Sequence, residues 1–310
     1  MENTTRKGFI PVMLTPFKDN GAVDYDGLTR LTELYLEAGA SGLFANCLSS
    51  EMFELTEEER LQTIDHIVKV ANGAVPVVAT GTFGGIVETQ ADFIKKVYDR
   101  GTQAVILLAG LLADVTETNS IFNERMFSLL DKTEQIPLGF YECPVPYKRL
   151  LSPEQLHIFV NTGRVIYHKD TCLNLETIKQ KIEATANVPS FGLYDAYMVH
   201  AVESLKAGSA GLSCIQGNYF PELIVWLCDN YNNEDLQVEV AHVQQFLIDN
   251  MDVMHHVYPT ISKYFLQKRG FKISAFTRRD VGLFTPSIEK QIDKLYSDYS
   301  RLQHTLELVS

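Results

Sequence analysis

Lys169 occupies a position in this sequence where a lysine needs a chemical explanation. It follows the run 165–167, whose residues have the pattern of a parallel strand buried on both faces. An ammonium group is costly in such a place unless it is paired or used in chemistry. Two interpretations stay open. Lys169 forms an ion pair with an acid such as Asp170 or Glu142, or burial lowers its pKa and leaves a neutral amine that can attack a ketone.

Other residues at predicted strand ends have side chains that suit the same chemistry. Tyr141 ends the preceding strand and could carry the protons that carbinolamine and enamine formation require, although a buried tyrosine often only packs. Ser49 and Ser50 follow the second predicted strand, and their hydroxyl and N–H groups could hold a carboxylate.

Four of the five cysteines also fall at or just beyond predicted strand ends: Cys47, Cys143, Cys172 and Cys214. Their number is odd and their spacing lacks a CxxC pair, which argues against a disulfide framework or a zinc finger. We expect them to pack as small, soft side chains at the mouth of an apolar pocket, and we predict no metal site.

Short apolar runs alternate with longer segments of helical period along the first 215 residues. Strands are predicted at 9–17, 42–46, 75–79, 104–109, 137–141, 164–169, 189–193 and 210–215, and helices at 24–39, 56–72, 86–100, 116–132, 152–161, 173–186 and 194–207. The count predicts an α/β chain of the (β/α)8 TIM-barrel class, whose chemistry gathers at the carboxyl ends of the strands. A doubly wound sheet is the alternative, but no Gly-x-Gly-x-x-Gly follows the first strand. Strand seven has the weakest signal.

The remaining residues, 218–310, have a helical pattern with an amphipathic stretch at 286–308. No linker or repeat separates them from the first part of the chain. We therefore expect a barrel core at 1–217 and additional C-terminal helices at 218–310 that pack on it as one structural unit.

Composition excludes several classes of partner. The 310 residues include 27 Lys and Arg against 39 Asp and Glu, a net charge of −12. This balance disfavours general binding to nucleic acid or to a membrane surface, while a local basic pocket could still take an anionic substrate. The apolar run 104–113 is too short to span a bilayer, and residues 1–8 contain no apolar signal region, so we expect a cytoplasmic protein.

Five segments, in order, carry a family resemblance: Gly8 through Thr15-Pro16-Phe17; Cys47-Leu48-Ser49-Ser50-Glu51 with Leu55-Thr56-Glu57-Glu58-Glu59-Arg60; Tyr141-Glu142-Cys143-Pro144; Lys169-Asp170; and Gly208-Ser209-Ala210-Gly211 with Asn218 and Pro221. They resemble the motifs of the dihydrodipicolinate synthase/N-acetylneuraminate lyase family of class I, pyruvate-dependent aldolases. That family consists of (β/α)8 barrels that are commonly tetrameric.

The resemblance implies roles for individual residues. Lys169 would form the imine, Tyr141 would shuttle protons, and Ser49 with the neighbouring amides would hold the carboxylate of a 2-oxo acid. We expect Ser50, Gly192 and Cys214 to complete the substrate pocket. The implied chemistry needs no metal or organic cofactor, and the implied assembly is a homo-oligomer, a tetramer or a dimer.

The chain also departs from the branch of the family that makes dihydrodipicolinate. Leu48 stands where that branch has a relay hydroxyl, and Leu111-Leu112 stands where a neighbouring subunit would lend a tyrosine. Pro146 replaces an arginine, with Lys148 and Arg149 close by but displaced. Aspartate semialdehyde is therefore predicted to be a poor partner, because its charged end would meet an apolar wall unless one of these two cations reaches it.

Three functions remain open on these residues. The favoured one is a Schiff-base lyase or aldolase acting on pyruvate or a 2-oxo-3-deoxy acid. Dihydrodipicolinate synthase itself, or a dehydratase of 2-oxo-3-deoxy sugar acids, is an alternative within the same chemistry. A barrel that only binds a 2-oxo acid, without turnover, is the alternative from another class.

Overall fold

The computed structural model of the protein describes residues 7–308 and has eight parallel strands arranged as a barrel. The strands are β1 (Gly8–Phe9), β2 (Leu43–Ala45), β3 (Val77–Thr80), β4 (Ala104–Leu108), β5 (Leu138–Tyr141), β6 (Val165–Asp170), β7 (Gly192–Asp195) and β8 (Gly211–Leu212). They pair in the order β1-β8-β7-β6-β5-β4-β3-β2. An isolated parallel bridge between Val12 and Phe44 joins the chain after β1 to β2 and closes the ring. The predicted (β/α)8 class is confirmed.

Within the described part of the chain, twelve α-helices surround and extend this barrel. They are α1 (Tyr25–Glu37), α2 (Glu57–Ala71), α3 (Val87–Tyr98), α4 (Ala109–Leu112), α5 (Asn119–Lys132), α6 (Pro153–Val160), α7 (Leu175–Thr185), α8 (Ala201–Ala207), α9 (Pro221–Asn230), α10 (Gln237–Asp249), α11 (Thr260–Lys268) and α12 (Pro286–Thr305). Helices α2 and α6 begin at capping boxes on Thr56 and Ser152, which satisfy N–H groups that the first turn leaves without partners. Apolar side chains fill both the barrel interior and the layer between the barrel and the helices.

The seventh strand lies later in the chain than predicted. Residues 194 and 195 belong to β7, and α8 begins only at Ala201, after a short 3₁₀ turn. The ring of Tyr194 stacks on that of Tyr167 from β6, with centroids 5.0 Å apart, and the Asp195 carboxylate accepts the N–H of Tyr197. The stacking on β6 and this local turn together override the helical pattern on which the prediction rested.

The first strand is shorter than predicted because proline interrupts its ladder. Pro11 has no N–H to donate, and regular pairing ends at Phe9. The chain nonetheless stays along the barrel, since Ile10 donates its N–H to Leu212 O and Met13 donates to Phe44 O. On the neighbouring strand β8, Gly211 approaches β1 so closely that an added Cβ would lie 1.7 Å from Gly8 O. Position 211 therefore has room only for glycine.

The C-terminal helices pack against the barrel through buried and half-buried polar contacts. Lys263 on α11 bonds Glu51 at 2.9 Å, and Arg278 pairs with Glu59 at 2.6 Å. Over residues 7–308, the helices lack the combination of length and apolar character that a membrane span requires. The sequence expectation about an N-terminal signal concerns residues 1–8, of which 1–6 lie outside the described residues.

Candidate active site

Lys169 lies at the carboxyl end of β6, and its side chain lines a cavity at that end of the barrel. The residue is 4% exposed, and Nζ lies 4.3 Å from the centre of the Tyr141 ring. Burial lowers the pKa of Lys169, although nearby cysteines oppose this effect. Within residues 7–308 no carboxylate lies within ion-pair distance of its Nζ. A lowered pKa favours the neutral, nucleophilic amine.

The ion-pair interpretation of Lys169 is wrong because both candidate acids bind another lysine. Lys181 on α7 donates to Glu142 Oε1 at 2.7 Å and to Asp170 Oδ2 at 2.6 Å. All three side chains are fully buried. Successive strand residues face opposite sides, so Asp170 points out toward α7 while Lys169 points into the barrel.

His168 joins Glu142, Asp170 and Lys181 to form a buried charge cluster behind the site. Its Nε2 lies 3.5 Å from Glu142 Oε1 and 3.4 Å from Asp170 Oδ2. Burial alone would raise the pKa of Asp170, but the nearby His168 imidazole and the charge of Lys181 outweigh it and hold the pKa well below its usual range. Burial likewise opposes charge on His168, yet the two carboxylates raise its pKa.

Three members of the buried charge cluster have donor atoms close enough to bind one metal ion. The donor atoms of Glu142, His168 and Asp170 all lie within 4.8 Å of one another. The ammonium of Lys181 already bonds both carboxylates, however, and so supplies the positive charge that a metal ion would bring. The arrangement is that of an internally neutralised group of charges rather than of an open metal site.

Tyr141 ends β5 and faces the same cavity as Lys169. Burial raises the pKa of its phenol well above the usual value, and the neighbouring Cys143 and Cys47 add to this. The hydroxyl and the Cys143 thiol are near enough for each to influence the pKa of the other. Tyr141 is therefore a neutral phenol at neutral pH and can donate a proton beside the Lys169 amine.

The structure separates the two serines of the loop after β2. Ser49 lies in a short 3₁₀ turn, Leu48–Ser50, and lines the cavity. The first N–H groups of such a turn have no partner within it and can bind an anion. Ser50 is turned away: its hydroxyl donates to Met13 O at 2.6 Å and accepts the N–H of Cys47 at 3.1 Å. Ser50 therefore shapes the loop, contrary to its predicted contact with substrate.

Gly192 is not brought to this cavity. It is the first residue of β7 and lines a different cavity of about 420 Å³ at the opposite mouth of the barrel, together with Lys7, Ser41 and Gln103. The prediction failed because strand seven was placed earlier in the chain than it lies, which moved Gly192 toward the carboxyl end. Its expected contact with substrate is corrected accordingly.

Cys214 lies two residues after the end of β8 and is buried on the same side of the barrel as Lys169. Burial raises the pKa of the Cys214 thiol to about 12 and also raises that of Cys143. Cys214 influences the pKa of Lys169 but does not line the cavity itself. The thiols of Cys143 and Cys214 therefore stay neutral near the amine, and none of the five cysteines forms a disulfide.

The cavity at the carboxyl ends of the strands has a volume of about 480 Å³, the size of a small-molecule site. Its wall contains apolar side chains, including Leu48, Pro144 and Ile215, but also Lys148 and Arg279. Lys148, one of the two cations that the prediction left open, therefore reaches the wall, and the case against an anionic partner is weakened.

The cations near the cavity have different neighbours. Lys148 donates to Thr171 O at 2.9 Å within the wall. Arg149 points away and bonds the Tyr147 hydroxyl and Glu117 O. The backbone N–H of Arg279 donates to Glu51, and among residues 7–308 its guanidinium has no hydrogen-bond or ion-pair partner. Of the two displaced cations noted in the sequence, only Lys148 can meet a bound molecule here.

The C-terminal region adds residues to this cavity that the sequence did not predict. Tyr258, Arg279 and His255 line it, although they lie more than eighty residues after Lys169. The Tyr258-Pro259 step marks a turn in the sequence. Nothing in the local pattern shows that this turn lies over the barrel mouth.

Comparisons with known proteins agree with this architecture. The sequence model of the dihydrodipicolinate synthetase family matches residues 5–298. The 4-hydroxy-tetrahydrodipicolinate synthase of Staphylococcus epidermidis is 27% identical over 226 residues, which cover 72% of this chain and 74% of that relative.

Two solved structures have the same fold. A prophage protein of E. coli K12, YagE, was determined in complex with pyruvate; it has a TM-score of 0.82 and 19% identity, covering 96% of this chain and 98% of that one. A monomeric dihydrodipicolinate synthase variant has a TM-score of 0.86 and 19% identity, with the same coverage. At these identities the structural likeness establishes the fold.

Proposed function

The chain belongs to the dihydrodipicolinate synthetase family of pyruvate-dependent Schiff-base lyases, and on that premise we propose that Lys169 forms an imine with a 2-oxo acid. One observation carries the assignment. The Lys169 amine is buried, has no carboxylate partner among residues 7–308, and lies 4.3 Å from the ring of a protonated tyrosine in a cavity of small-molecule size. Pyruvate, or a 2-oxo-3-deoxy acid that releases pyruvate, fits this arrangement.

The proposed chemistry balances with the groups at hand. The neutral amine of Lys169 attacks the keto carbon, and its proton moves to the oxygen to give a carbinolamine. The Tyr141 phenol then donates its proton to the hydroxyl, which leaves as water, and an iminium and a phenolate remain. The phenolate accepts a proton from C3 and the enamine forms, ready to add to an aldehyde. Cleavage of a 2-oxo-3-deoxy acid runs through the same enamine in reverse.

Ser49 is the proposed carboxylate-binding residue. Its hydroxyl lines the cavity with Lys169, and the free N–H groups of its 3₁₀ turn can share the anion. The pyruvate bound by the E. coli relative supports a 2-oxo acid as the ligand class. We further propose a homo-oligomer, a tetramer or a dimer, that acts in the cytoplasm. Light scattering on the purified protein measures its assembly directly.

Borohydride trapping tests the imine. Incubation with pyruvate and borohydride is expected to add one reduced pyruvyl group per chain, which peptide mass spectrometry places on Lys169. Lys169→Ala is expected to abolish the adduct, while Lys179→Ala, which changes an exposed lysine on α7, leaves it in place. An adduct on another lysine, or none in the wild-type protein, would overturn the assignment.

A second candidate is the reaction after which the staphylococcal relative is named. Lys148 and Arg279 in the cavity wall favour it, because they can hold the charged end of aspartate semialdehyde. Leu48 and Pro146, which stand where that branch has a hydroxyl and an arginine, argue instead for a hydroxylated aldehyde.

A panel of aldehydes offered with pyruvate separates these functions. Faster turnover of glyceraldehyde than of aspartate semialdehyde supports the 2-oxo-3-deoxy acid lyase. Efficient turnover of aspartate semialdehyde that is lost in Lys148→Met supports the second candidate. A protein that only binds 2-oxo acids would still form the trapped imine but would release no product with any aldehyde.

A further inference from the structure

Tyr258 is a tyrosine of the cavity that the proposed chemistry leaves unused. It comes from the segment before α11, and it lines the same cavity as Lys169, Tyr141 and Ser49. Its hydroxyl accepts a hydrogen bond from Nδ2 of Asn218 at 2.6 Å. Asn218 is fully buried beside β1 and so provides a fixed anchor for the tyrosine.

The orientation of the Asn218 amide follows from its other two partners. Nδ2 also donates to the carbonyl oxygen of Val12 at 2.9 Å, and a carbonyl oxygen can only accept. Oδ1 accepts the hydroxyl of Tyr35 at 2.6 Å. Both hydrogens of the amide nitrogen are therefore assigned, one to Val12 and one to Tyr258.

This assignment leaves the hydrogen of the Tyr258 hydroxyl free. Because its oxygen accepts from Asn218, its own hydrogen is available to a different acceptor. The Ser49 hydroxyl lines the same cavity and lies near enough to the phenol to oppose the effect of burial on its pKa, which makes it the candidate acceptor. Burial raises the pKa of Tyr258 well above the usual value, so the group keeps its proton and remains a donor at neutral pH.

We propose that Tyr258 is a positioning residue for the 2-oxo acid: it donates to Ser49 Oγ and thereby directs the Ser49 hydroxyl to donate into the cavity, toward the substrate carboxylate. This inference rests on the proposed function and adds to it a residue from the C-terminal region. Hydrogen bonds in such a chain polarise one another, which strengthens the last donor. The carboxylate, rather than the ketone, is the group that this chain recognises.

The test compares two ketones that differ in that group. Pyruvate carries the carboxylate, and 2,3-butanedione carries an acetyl group in its place. Borohydride trapping over a range of concentrations gives a half-saturating concentration for each. Tyr258→Phe is expected to raise the value for pyruvate by about tenfold, in the range of one hydrogen bond to a charged group. The value for butanedione is expected to stay unchanged.

Matched variants test whether Tyr258 acts on the substrate through Ser49. Tyr231→Phe removes the hydroxyl of a tyrosine outside the cavity and is expected to change neither ketone. Ser49→Ala is expected to lose the pyruvate preference, and Ser49→Thr to keep it. Adding Tyr258→Phe to Ser49→Ala is expected to cause no further loss, because Tyr258 acts through Ser49.

Each outcome decides the proposal. If wild-type protein forms the imine and Tyr258→Phe binds both ketones as before, or weakens both equally, the positioning role is wrong and the proposed function stands. If wild-type protein forms no imine, the proposed function fails, and this inference fails with it. Should Tyr258→Phe not fold, Asn218→Asp provides the second variant. Its carboxylate can only accept, so Tyr258 must donate to it instead of Ser49, and the same pyruvate-specific loss is expected.

Discussion

Neutral groups, rather than carboxylates, surround the Lys169 amine in this site. The Tyr141 ring lies against Nζ, and the buried thiols of Cys143 and Cys214 keep their protons. Burial therefore acts on the lysine with little compensation, and its pKa is lowered. The pKa of Tyr141 moves in the opposite direction by the same cause. One apolar pocket thus prepares a neutral nucleophile and a protonated acid side by side.

Tyr141→Phe tests the acid at the scale of one residue. The substitution keeps the ring against Lys169 but removes the proton carrier, so turnover is expected to fall by about 10²–10⁴-fold. Steady-state kinetics with pyruvate and the best aldehyde of the panel measure the loss, and equilibrium binding of pyruvate is expected to change much less. Near wild-type turnover in this variant would mean that Tyr141 only packs and that another group moves the proton.

At the scale of the elements, β5, β6 and α7 are joined by the buried charge cluster. Glu142 also accepts the N–H groups of Leu151 and Thr171, which fixes the loops that follow β5 and β6. These are the strands that end in Tyr141 and Lys169. The cluster therefore supports the site from behind without touching the cavity.

Lys181→Met is expected to destabilise the protein by about 3–5 kcal/mol, because it leaves two buried carboxylates with His168 as the one cationic side chain beside them in the buried charge cluster. Urea unfolding at neutral pH measures this loss. Lys179→Met, an exposed change on the same helix, serves as the control and is expected to stay within about 0.5 kcal/mol of wild type. A loss for Lys181→Met as small as the control's would show that the cluster contributes little.

The same cluster predicts how stability depends on pH. The pKa of Asp170 is lower in the folded protein, so its contribution is fully present above its unfolded value of about 4 and is lost as the pH falls. The pKa of His168 is raised, so its contribution is fully present below its unfolded value of about 6.5 and is lost as the pH rises through the folded value. The cluster therefore stabilises the fold most between about pH 4 and 6.5.

At the scale of the whole molecule, the C-terminal region and the barrel share polar contacts at the active-site mouth. Glu51 accepts Lys263 through one oxygen and the N–H groups of Arg278 and Arg279 through the other. Glu51 ends the 3₁₀ turn that carries Ser49. The C-terminal region therefore holds the proposed carboxylate-binding turn as well as supplying Tyr258.

We propose on these contacts that 1–217 and 218–310 unfold as one unit. Trp226 is the sole tryptophan of the sequence and lies on α9, so its fluorescence reports on the C-terminal region, while circular dichroism reports on the whole chain. Coincident urea midpoints are expected. Fluorescence that changes at lower urea than circular dichroism would show two separately folding parts.

Substitutions at the shared surface sharpen this measurement. Glu59→Gln breaks the pair with Arg278 and is expected to lower both midpoints together, whereas Glu57→Gln, in an exposed pair with Lys96, is expected to change neither. The hydrogen bond with Arg278 lowers the pKa of Glu59 to about 2. Its contribution is therefore present above the unfolded value of about 4.3 and is lost as the pH falls toward 2.

The linear sequence was sufficient to predict the barrel and to identify the two central residues of the proposed site. Strand and helix periodicity is local, and capping boxes at Thr56 and Ser152 mark helix starts within a few residues. A charged or polar side chain at the end of an apolar strand is also a local signal. Both Lys169 and Tyr141 were therefore recognisable as strand-end residues, and both face one cavity in the fold.

Only the tertiary structure decided which distant groups meet these two. Lys181, from a helix later in the chain, takes the carboxylates that could have paired with Lys169, and Tyr258 and Arg279 reach the cavity from the C-terminal region. The placement of Gly192 depended on the register of β7, which Tyr194 sets by stacking on Tyr167. Local periodicity tells which face of an element is buried, but not which other element covers it. Those contacts depend on how elements far apart in the sequence pack, and their partners leave no mark on the residues nearby.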